Sequence, residues 1–331
     1  MIAIIPVAGA GIRLRPHTYT QPKPLIPVAG KTIISFIIEQ LQDVGIEDFV
    51  FIIGYLGEKI KLYLEEHYPD INKTFVYQEQ RQGLGHAIWM AKEAVEGYNE
   101  IFIALGDTIC VVDLQKMINQ ETSSLGVKKV EDPRNFGVVE YNEDKIVKRV
   151  IEKPKIPKSN MAMVGLYKIK EVRELYNALE YNIKNEVRTY DEFQLTDAIM
   201  KIIEDGAKFS TVTVNNWFDC GKKEILLETN ATLLDKDGYA SDDLPPYDNS
   251  IIIHPVSIGK NCKISNSIIG PHATIGDNVK ISYSIVKESI IGNFASINQI
   301  VLHQSVIGSD TAIKGSSKSL NIGDNTEIDF S

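Results

Sequence analysis

Between Ile258 and Ile313, isoleucine recurs at a spacing that few folds allow. Ile258, Ile264, Ile269, Ile275 and Ile281 are separated by six, five, six and six positions. Ile291, Ile297, Ile307 and Ile313 continue with steps of six, ten and six. Gly259, Gly270, Gly276, Gly292 and Gly308 each follow an isoleucine. A strand of a β-sandwich alternates with period two over longer runs and has wider-spaced turns. A six-residue period, with one aliphatic residue per triangular face pointing inward, is the signature of a parallel β-helix. The period breaks over 314–319, so the end is expected to be irregular. The repeat assigns residues 250–331 to a β-helix and leaves the rest to a different architecture.

That remainder alternates. Ile2–Val7, Phe49–Ile53, Thr74–Tyr77 and Ile101–Leu105 are strand-like apolar runs. Between them, Ile33–Val44, Glu58–His67 and Ala87–Glu96 carry apolar residues at helical spacing, with Thr32 as a cap and Gly45 as a stop. The alternation predicts βαβ units and a mainly parallel, Rossmann-like sheet, with ligands beyond the carboxyl ends of its strands. Shorter strands at 125–130, 137–141, 146–151 and 162–169 read as an antiparallel insertion over that sheet. Helices are expected at 172–179, 193–204 and 223–234, and a strand at 208–214. Residues 236–249, rich in Asp, Pro and Gly, read as a linker after a domain spanning 1–235.

The first strand runs into Ala8-Gly9-Ala10-Gly11-Ile12-Arg13-Leu14-Arg15, with Lys23 between Pro22 and Pro24 further on. Gly9 and Gly11 let the backbone turn tightly and approach a ligand. Arg13 and Arg15 offer guanidinium forks, and the prolines are expected to hold the chain extended around Lys23. This combination suits a polyphosphate. Gly30-Lys31-Thr32 is the tail of a P-loop pattern, but Leu25 stands where its first glycine belongs, and the P-loop is rejected.

Asp107, with Gly106, falls at the same sheet edge as the opening loop, and a second carboxylate, Asp219, shares its local setting. Asp107 and Asp219 each sit just past an expected strand, on a glycine-flanked turn, and they are the candidates for Mg²⁺, a hard cation that needs few protein ligands when phosphates supply the rest. Gln78 and Gly83 close the Thr74 strand. An amide both donates and accepts, so Gln78 can pair with a nucleobase edge, and Gly83 allows close approach to the ring.

Composition narrows the partners. The formal net charge of −9 argues against nucleic acid and against an anionic membrane surface. The three cysteines, Cys110, Cys220 and Cys262, are scattered and fit a reducing cytoplasm. No 18-residue apolar run and no signal-peptide pattern is present, so a soluble cytoplasmic chain is expected.

These stretches, in this order, resemble the sugar-1-phosphate nucleotidyltransferases. The match is carried by residues 8–31, QGLGHA at 82–87, LGDT at 105–108, FGVVE at 136–140, EKP at 152–154, VGLY at 164–167, EFQLTDAI at 192–199 and WFDCGKKEILLETN at 217–230. The whole is similar to the long glucose-1-phosphate thymidylyltransferases and uridylyltransferases that end in a left-handed β-helix. The resemblance implies that Ala8, Gly9, Gly11 and Arg13 wrap an NTP (dTTP or UTP), with Arg13 and Lys23 catalytic at its phosphates. It implies that Gln78 and Gly83 contact the base and that Asp107 and Asp219 hold Mg²⁺. Gly137, Glu152, Lys153 and Gly165 would line the site for a sugar 1-phosphate, glucose 1-phosphate first among them. Ile12 stands where the family usually has threonine, and Gln194 where some members have glutamate, which leaves sugar and nucleotide open.

The implied reaction needs no general base, because the attacking phosphate oxygen is already ionised near neutrality. No role is expected for His86 or the other histidines. Two alternatives remain. One is an acyl-CoA-dependent acyltransferase working through the β-helix, against which stand its few coils and the lack of distinctive partners for His254, His272 and His303. The other is a non-catalytic paralogue that only binds sugar nucleotides. A β-helix with open flat faces is expected to self-associate into a homo-oligomer.

Overall fold

The computed structural model describes residues 1–142, 146–236, 238–315 and 326. The chain forms two compact units, Met1–Pro27 with Lys31–Leu226, and Val28–Gly30 with Leu227–Ser331.

The first unit is built on β1 (Ile2–Pro6), which is almost fully buried and runs parallel to two neighbours. After it come short strands β2 (Pro27–Val28) and β3 (Lys31–Thr32), then α1 (Ile33–Gln42). The Thr32 hydroxyl accepts from the Ser35 N–H at 3.3 Å, and Gly45 at φ 84° ends the helix as Ile46 N–H donates to the Leu41 carbonyl. β4 (Asp48–Ile53), α2 (Gly57–His67), β5 (Asn72–Tyr77), α3 (Leu84–Met90) and β6 (Ile101–Ala104) complete the alternation. The helix expected over 87–96 starts earlier, because Gly83 at φ 105° caps it, and it stops at Met90, with a separate 3-10 turn at Glu93–Val95.

β7 (Thr108–Val111) and α4 (Leu114–Ile118) lead into β8 (Ser123–Lys129), β9 (Gly137–Tyr141), β10 (Val147–Glu152) and β11 (Met161–Ile169). Then follow α5 (Val172–Lys184), α6 (Leu195–Glu204), β12 (Phe209–Thr213), β13 (Asn216–Asp219) and α7 (Lys223–Leu234). The main sheet has the order β10-β9-β11-β6-β1-β4-β5, with β8 joining β11 to β12. It is parallel through β6-β1-β4-β5 and antiparallel around β11. The antiparallel strands therefore extend this sheet instead of lying over it. The reason is β11, which is apolar on both faces and buried along nearly its whole length, so it fits beside β6 and not on a solvated layer. Its one interior charge, Lys168, is buried and donates to the Ile118 and Gln120 carbonyls at 2.6 and 2.7 Å.

In the second unit, short strands stack into three four-stranded parallel sheets, the three faces of a left-handed β-helix. One inward column is Ile258, Ile275, Ile291 and Ile307, and another is Ile264, Ile281, Ile297 and Ile313. The third column explains the steps of ten: it reads Ile252, Ile269, Val286 and Leu302, so other aliphatic residues fill the gaps. Corner residues such as Asn261, Asn266 and Asn278 take positive φ, which asparagine tolerates best after glycine. Of the stretch expected to be irregular, 316–319 lies outside the described residues. Leu244 and Tyr247, from the expected linker, pack on the β-helix core, and Ser241 N–H donates to the Val256 carbonyl. No helix among the described residues is long and apolar enough to cross a membrane.

Candidate active site

Because β1, β4, β5 and β6 run parallel, the loops that follow β1, β5 and β6 emerge at one edge. They meet around a cleft of about 590 Å³, lined by Ala8, Gly9, Gly11, Arg13, Lys23, Gln78, Gly83, Asp107 and Lys153, with Arg81, Glu192 and Gly221. Gly11 needs its glycine: φ is 58°, and a Cβ would lie 3.0 Å from the Lys23 Cβ. At Gly9 a Cβ would meet nothing within 4 Å, so this glycine opens onto the cleft and makes no packing contact there. Arg15 turns away, with its guanidinium 4.9 Å over the Tyr19 ring, and does not line the cleft.

Lys23 is 5% exposed. Pro22 is extended, as expected, but Lys23–Leu25 curls into a 3-10 turn, since Pro24 suits the first turn of a helix as well as an extended chain. The turn aims the ammonium at both candidate carboxylates. Lys23 Nζ donates to Asp107 Oδ2 at 2.7 Å and to Asp219 Oδ1 at 3.4 Å. Arg13 reaches Asp219 Oδ2 at 3.2 Å. A buried ammonium without such partners would be strongly unfavourable, so the four side chains form one interdependent set.

The aspartates are held together by a second, two-stranded ladder. β13 pairs antiparallel with β7, placing Asp219 opposite Thr108, and Cys220 N–H donates to the Asp107 carbonyl at 3.2 Å. Asp219 thus ends a strand instead of standing past it. Burial acts to raise the Asp107 pKa, but the Lys23 charge and hydrogen bond, with the Thr108 hydroxyl and Arg13, outweigh it and hold the carboxyl below its usual range. Gly221 completes the arrangement: a Cβ there would lie 2.5 Å from Arg13 and 2.9 Å from Asp219.

At the other wall, Gln78 is 6% exposed and its Nε2 lies 3.4 Å from the Gly83 carbonyl and 3.2 Å from His86 Nδ1. Gly83, at φ 105°, lies against the Phe193 backbone, where a Cβ would come within 2.6 Å of the carbonyl. Phe193 N–H donates to Gln82, and Gly85 N–H to Phe193, which pins this loop. Partial burial, with Arg188 nearby, pushes the His86 pKa below its usual value.

The residues expected around a sugar phosphate converge in part. Glu152 Oε2 accepts from Thr196 at 2.7 Å and lies 3.2 Å from where a Gly137 Cβ would be. Lys153, at φ 40°, pairs with Glu152 at 3.7 Å, and its carbonyl accepts from Tyr190. Gly165 does not line the cleft. It stands behind Leu105, which does, and its φ of 88° together with a Cβ contact of 2.6 Å to Leu105 requires glycine. Two residues to which the sequence gave no role, His86 and Gly221, thus touch the set. Gly221 follows Asp219-Cys220 directly, which was the available signal, whereas the His86 partner shows only in three dimensions.

The donor set fits a hard divalent cation. No group of three or more His, Cys, Asp or Glu side chains among the described residues is placed to hold a metal, but two all-oxygen carboxylates that converge on one cation are enough where phosphates complete the shell. In the β-helix, His272 Nε2 lies 2.9 Å from Asp235 and His303 Nε2 3.0 Å from Glu288. Two of the three histidines there do have carboxylate partners, contrary to the sequence reading.

A cationic turn facing paired aspartates, at the strand ends of a βαβ sheet and beside a buried amide, defines a domain built to handle a nucleotide. The chain belongs to the nucleotidyl transferase family, whose model matches residues 2–236. It is 37% identical to a bifunctional protein GlmU of Methanocaldococcus jannaschii over 71% of this chain and 55% of that one, so the chain spans little more than half the length of that curated relative. It is 30% identical to UTP–glucose-1-phosphate uridylyltransferase 1 of Staphylococcus saprophyticus, over 75% of this chain and 98% of that one. Among solved structures, a UDP-glucose pyrophosphorylase complexed with UDP-glucose shares the fold, with a TM-score of 0.60 and 24% identity over 70% of this chain and 97% of that one.

Proposed function

We propose that this chain transfers a nucleotidyl group from an NTP, with dTTP or UTP preferred, to a sugar 1-phosphate, glucose 1-phosphate first among them. The products are an NDP-sugar and pyrophosphate. The observation that carries the reading is the convergence of Lys23 on Asp107 and Asp219 in a cleft that also holds Gln78 and Lys153. Enzymes of this family generally use a divalent metal, and Asp107 and Asp219 would hold Mg²⁺. When bound, it supplies positive charge to the phosphate oxygens. A sugar-phosphate oxygen forms the new bond to the α-phosphorus as the bond to the departing pyrophosphate breaks. Arg13 and Lys23 offset charge on the triphosphate, and Lys153 does so for the incoming phosphate. The catalytic part in this reading is 1–235, followed by a linker at 236–249 and the β-helix at 250–331.

The test is pyrophosphate release with Mg²⁺ across dTTP, UTP, GTP, ATP and CTP, each against several sugar 1-phosphates. One strong pair supports the reading, and silence from folded protein across the grid removes it. Lys23→Ala should lower turnover by about a hundredfold or more, as loss of one preorganised charge donor does; near wild-type turnover would take Lys23 out of the catalytic set. The acyl-transfer alternative draws on the His272–Asp235 and His303–Glu288 pairs, and a CoA-thioester assay separates it. Exposed Ile251 and Val301 on one β-helix face support a homo-oligomer, and the thiols of Cys110 and Cys262, in no disulfide, support a cytoplasmic setting.

A further inference from the structure

One contact in the cleft fixes more than it first shows. The Gly83 carbonyl can only accept, so the end of the Gln78 amide lying 3.4 Å from it is the NH₂. The same nitrogen lies 3.2 Å from His86 Nδ1. Its two hydrogens therefore go to Gly83 and to His86, and Nδ1 must carry a lone pair. The imidazole is held for this purpose. It stacks on Phe193 with ring centres 6.5 Å apart, and the Arg188 guanidinium sits 3.9 Å over that same Phe193 ring. Partial burial first, and then the Arg188 charge, disfavour an imidazolium here and lower the His86 pKa. With its NH₂ occupied, Gln78 lines the cleft with a carbonyl oxygen that takes no hydrogen bond from the described residues.

We propose that His86, neutral and protonated on Nε2, is a positioning residue that locks the Gln78 amide so that its oxygen meets the base, and thereby selects a base with a ring N–H over one with a bare ring nitrogen. The proposal rests on the nucleotidyl-transfer reading. Uracil, thymine and guanine present a ring N–H at the pairing edge; cytosine and adenine present an acceptor there. Two acceptors face to face leave both unpaired, and a site built to take a hydrogen bond rejects the analogue that cannot give one. Without the His86 lone pair only the longer, 3.4 Å contact to the Gly83 carbonyl opposes a turned amide, and the orientation that presents the NH₂ to the base becomes far easier to reach.

The experiment compares the wild type, His86→Phe and His86→Asn by kcat and KM for UTP and for CTP, with KM for the sugar phosphate as a control. His86→Phe keeps an aromatic ring against Phe193 but removes the acceptor. It should raise KM for UTP and lower the UTP-over-CTP ratio of kcat/KM, each by about tenfold, with KM for the sugar phosphate unchanged. His86→Asn, which can place an amide oxygen near the former Nδ1, should recover most of the ratio. An unchanged ratio in His86→Phe, or no recovery in His86→Asn, overturns the proposal. Should His86→Phe not fold, ¹⁵N spectra of the wild type decide, with the His86 signal assigned by its loss in His86→Asn. A bare Nδ1 and protonated Nε2 support the proposal, and a protonated Nδ1 overturns it. A wild type silent with every nucleotide defeats the nucleotidyl-transfer reading, whereas one that is active but indifferent between UTP and CTP defeats this inference alone.

Discussion

Lys23 shows how much one side chain can commit. Its buried ammonium is satisfied only because two aspartates from distant parts of the chain, Asp107 and Asp219, come to it. Gly221 guards that geometry. A methyl group there would press on the far end of Arg13, which is flexible and can move away, so the cost falls on the Arg13–Asp219 contact and not on the core. Gly221→Ala should therefore raise KM for the nucleotide by about tenfold, the worth of one charge-assisted hydrogen bond, while the thermal midpoint shifts by no more than about 2 °C. Steady-state kinetics beside a melting curve check both halves, and a large loss of stability with normal kinetics would reverse the assignment. Gly9, Gly11, Gly83, Arg13, Lys23 and the aspartates were legible in the sequence because their chemistry is tied to residue type. The grip of Lys23 on both aspartates was not, because 84 and 196 positions of chain separate the partners. The Gln78–His86 contact was missed for a different reason. Those two residues are close in sequence, but an imidazole on a helix carries no mark of which way its ring nitrogen points.

Elements were legible where burial is symmetric. β1, β4 and β6 read as strands because both faces are apolar, and their parallel pairing followed from the helices between them. The strands around β11 read correctly as strands but were misplaced, because partner choice depends on which edge of the sheet is free, and local pattern does not encode that. Lys168 illustrates what holds the result together. From within β11 it ties down the carbonyls at the end of α4, the helix that follows the β7 strand paired with Asp219-bearing β13. Lys168→Met would fill the same space and leave the Ile118 and Gln120 carbonyls without their donor. It should cost about 2 kcal/mol or more in chemical denaturation, the range for losing charged hydrogen bonds at a buried site. A midpoint equal to the wild type would mean that water satisfies those carbonyls and that the lysine contributes nothing to the fold.

For the whole molecule, the sequence showed two architectures but not that the chain visits the second one twice. Val28–Gly30, a few residues after the Lys23 turn, belongs to the compact unit of the β-helix, as does the end of α7 from Leu227. Within that unit Asn230, fully buried, accepts from Ala29 N–H at 2.9 Å and from the Thr274 hydroxyl at 2.6 Å, and donates to the His272 carbonyl at 3.0 Å. Gly30, at φ 79°, leaves room for Ser257, whose Oγ would lie 2.4 Å from a Cβ. Short-range pattern could not reveal this, since Asn230 reads as one more polar residue on a helix. A chain cut after Asp235 keeps Ala29 and Asn230 but removes Ser257, His272 and Thr274. Its Asn230 then holds one of three hydrogen bonds, and the orphaned amide must find water or stay unpaired, at about 1–3 kcal/mol for each group left unsatisfied. The shortened chain should unfold at a clearly lower denaturant concentration than the full chain, and the amides of Val28–Gly30 should lose their protection from hydrogen exchange. Asn230→Ala in the full chain should reproduce part of both effects. If the shortened chain matches the full chain in midpoint and protection, Val28–Gly30 is held by its immediate neighbours in sequence, and the β-helix adds nothing to the segment that follows Lys23.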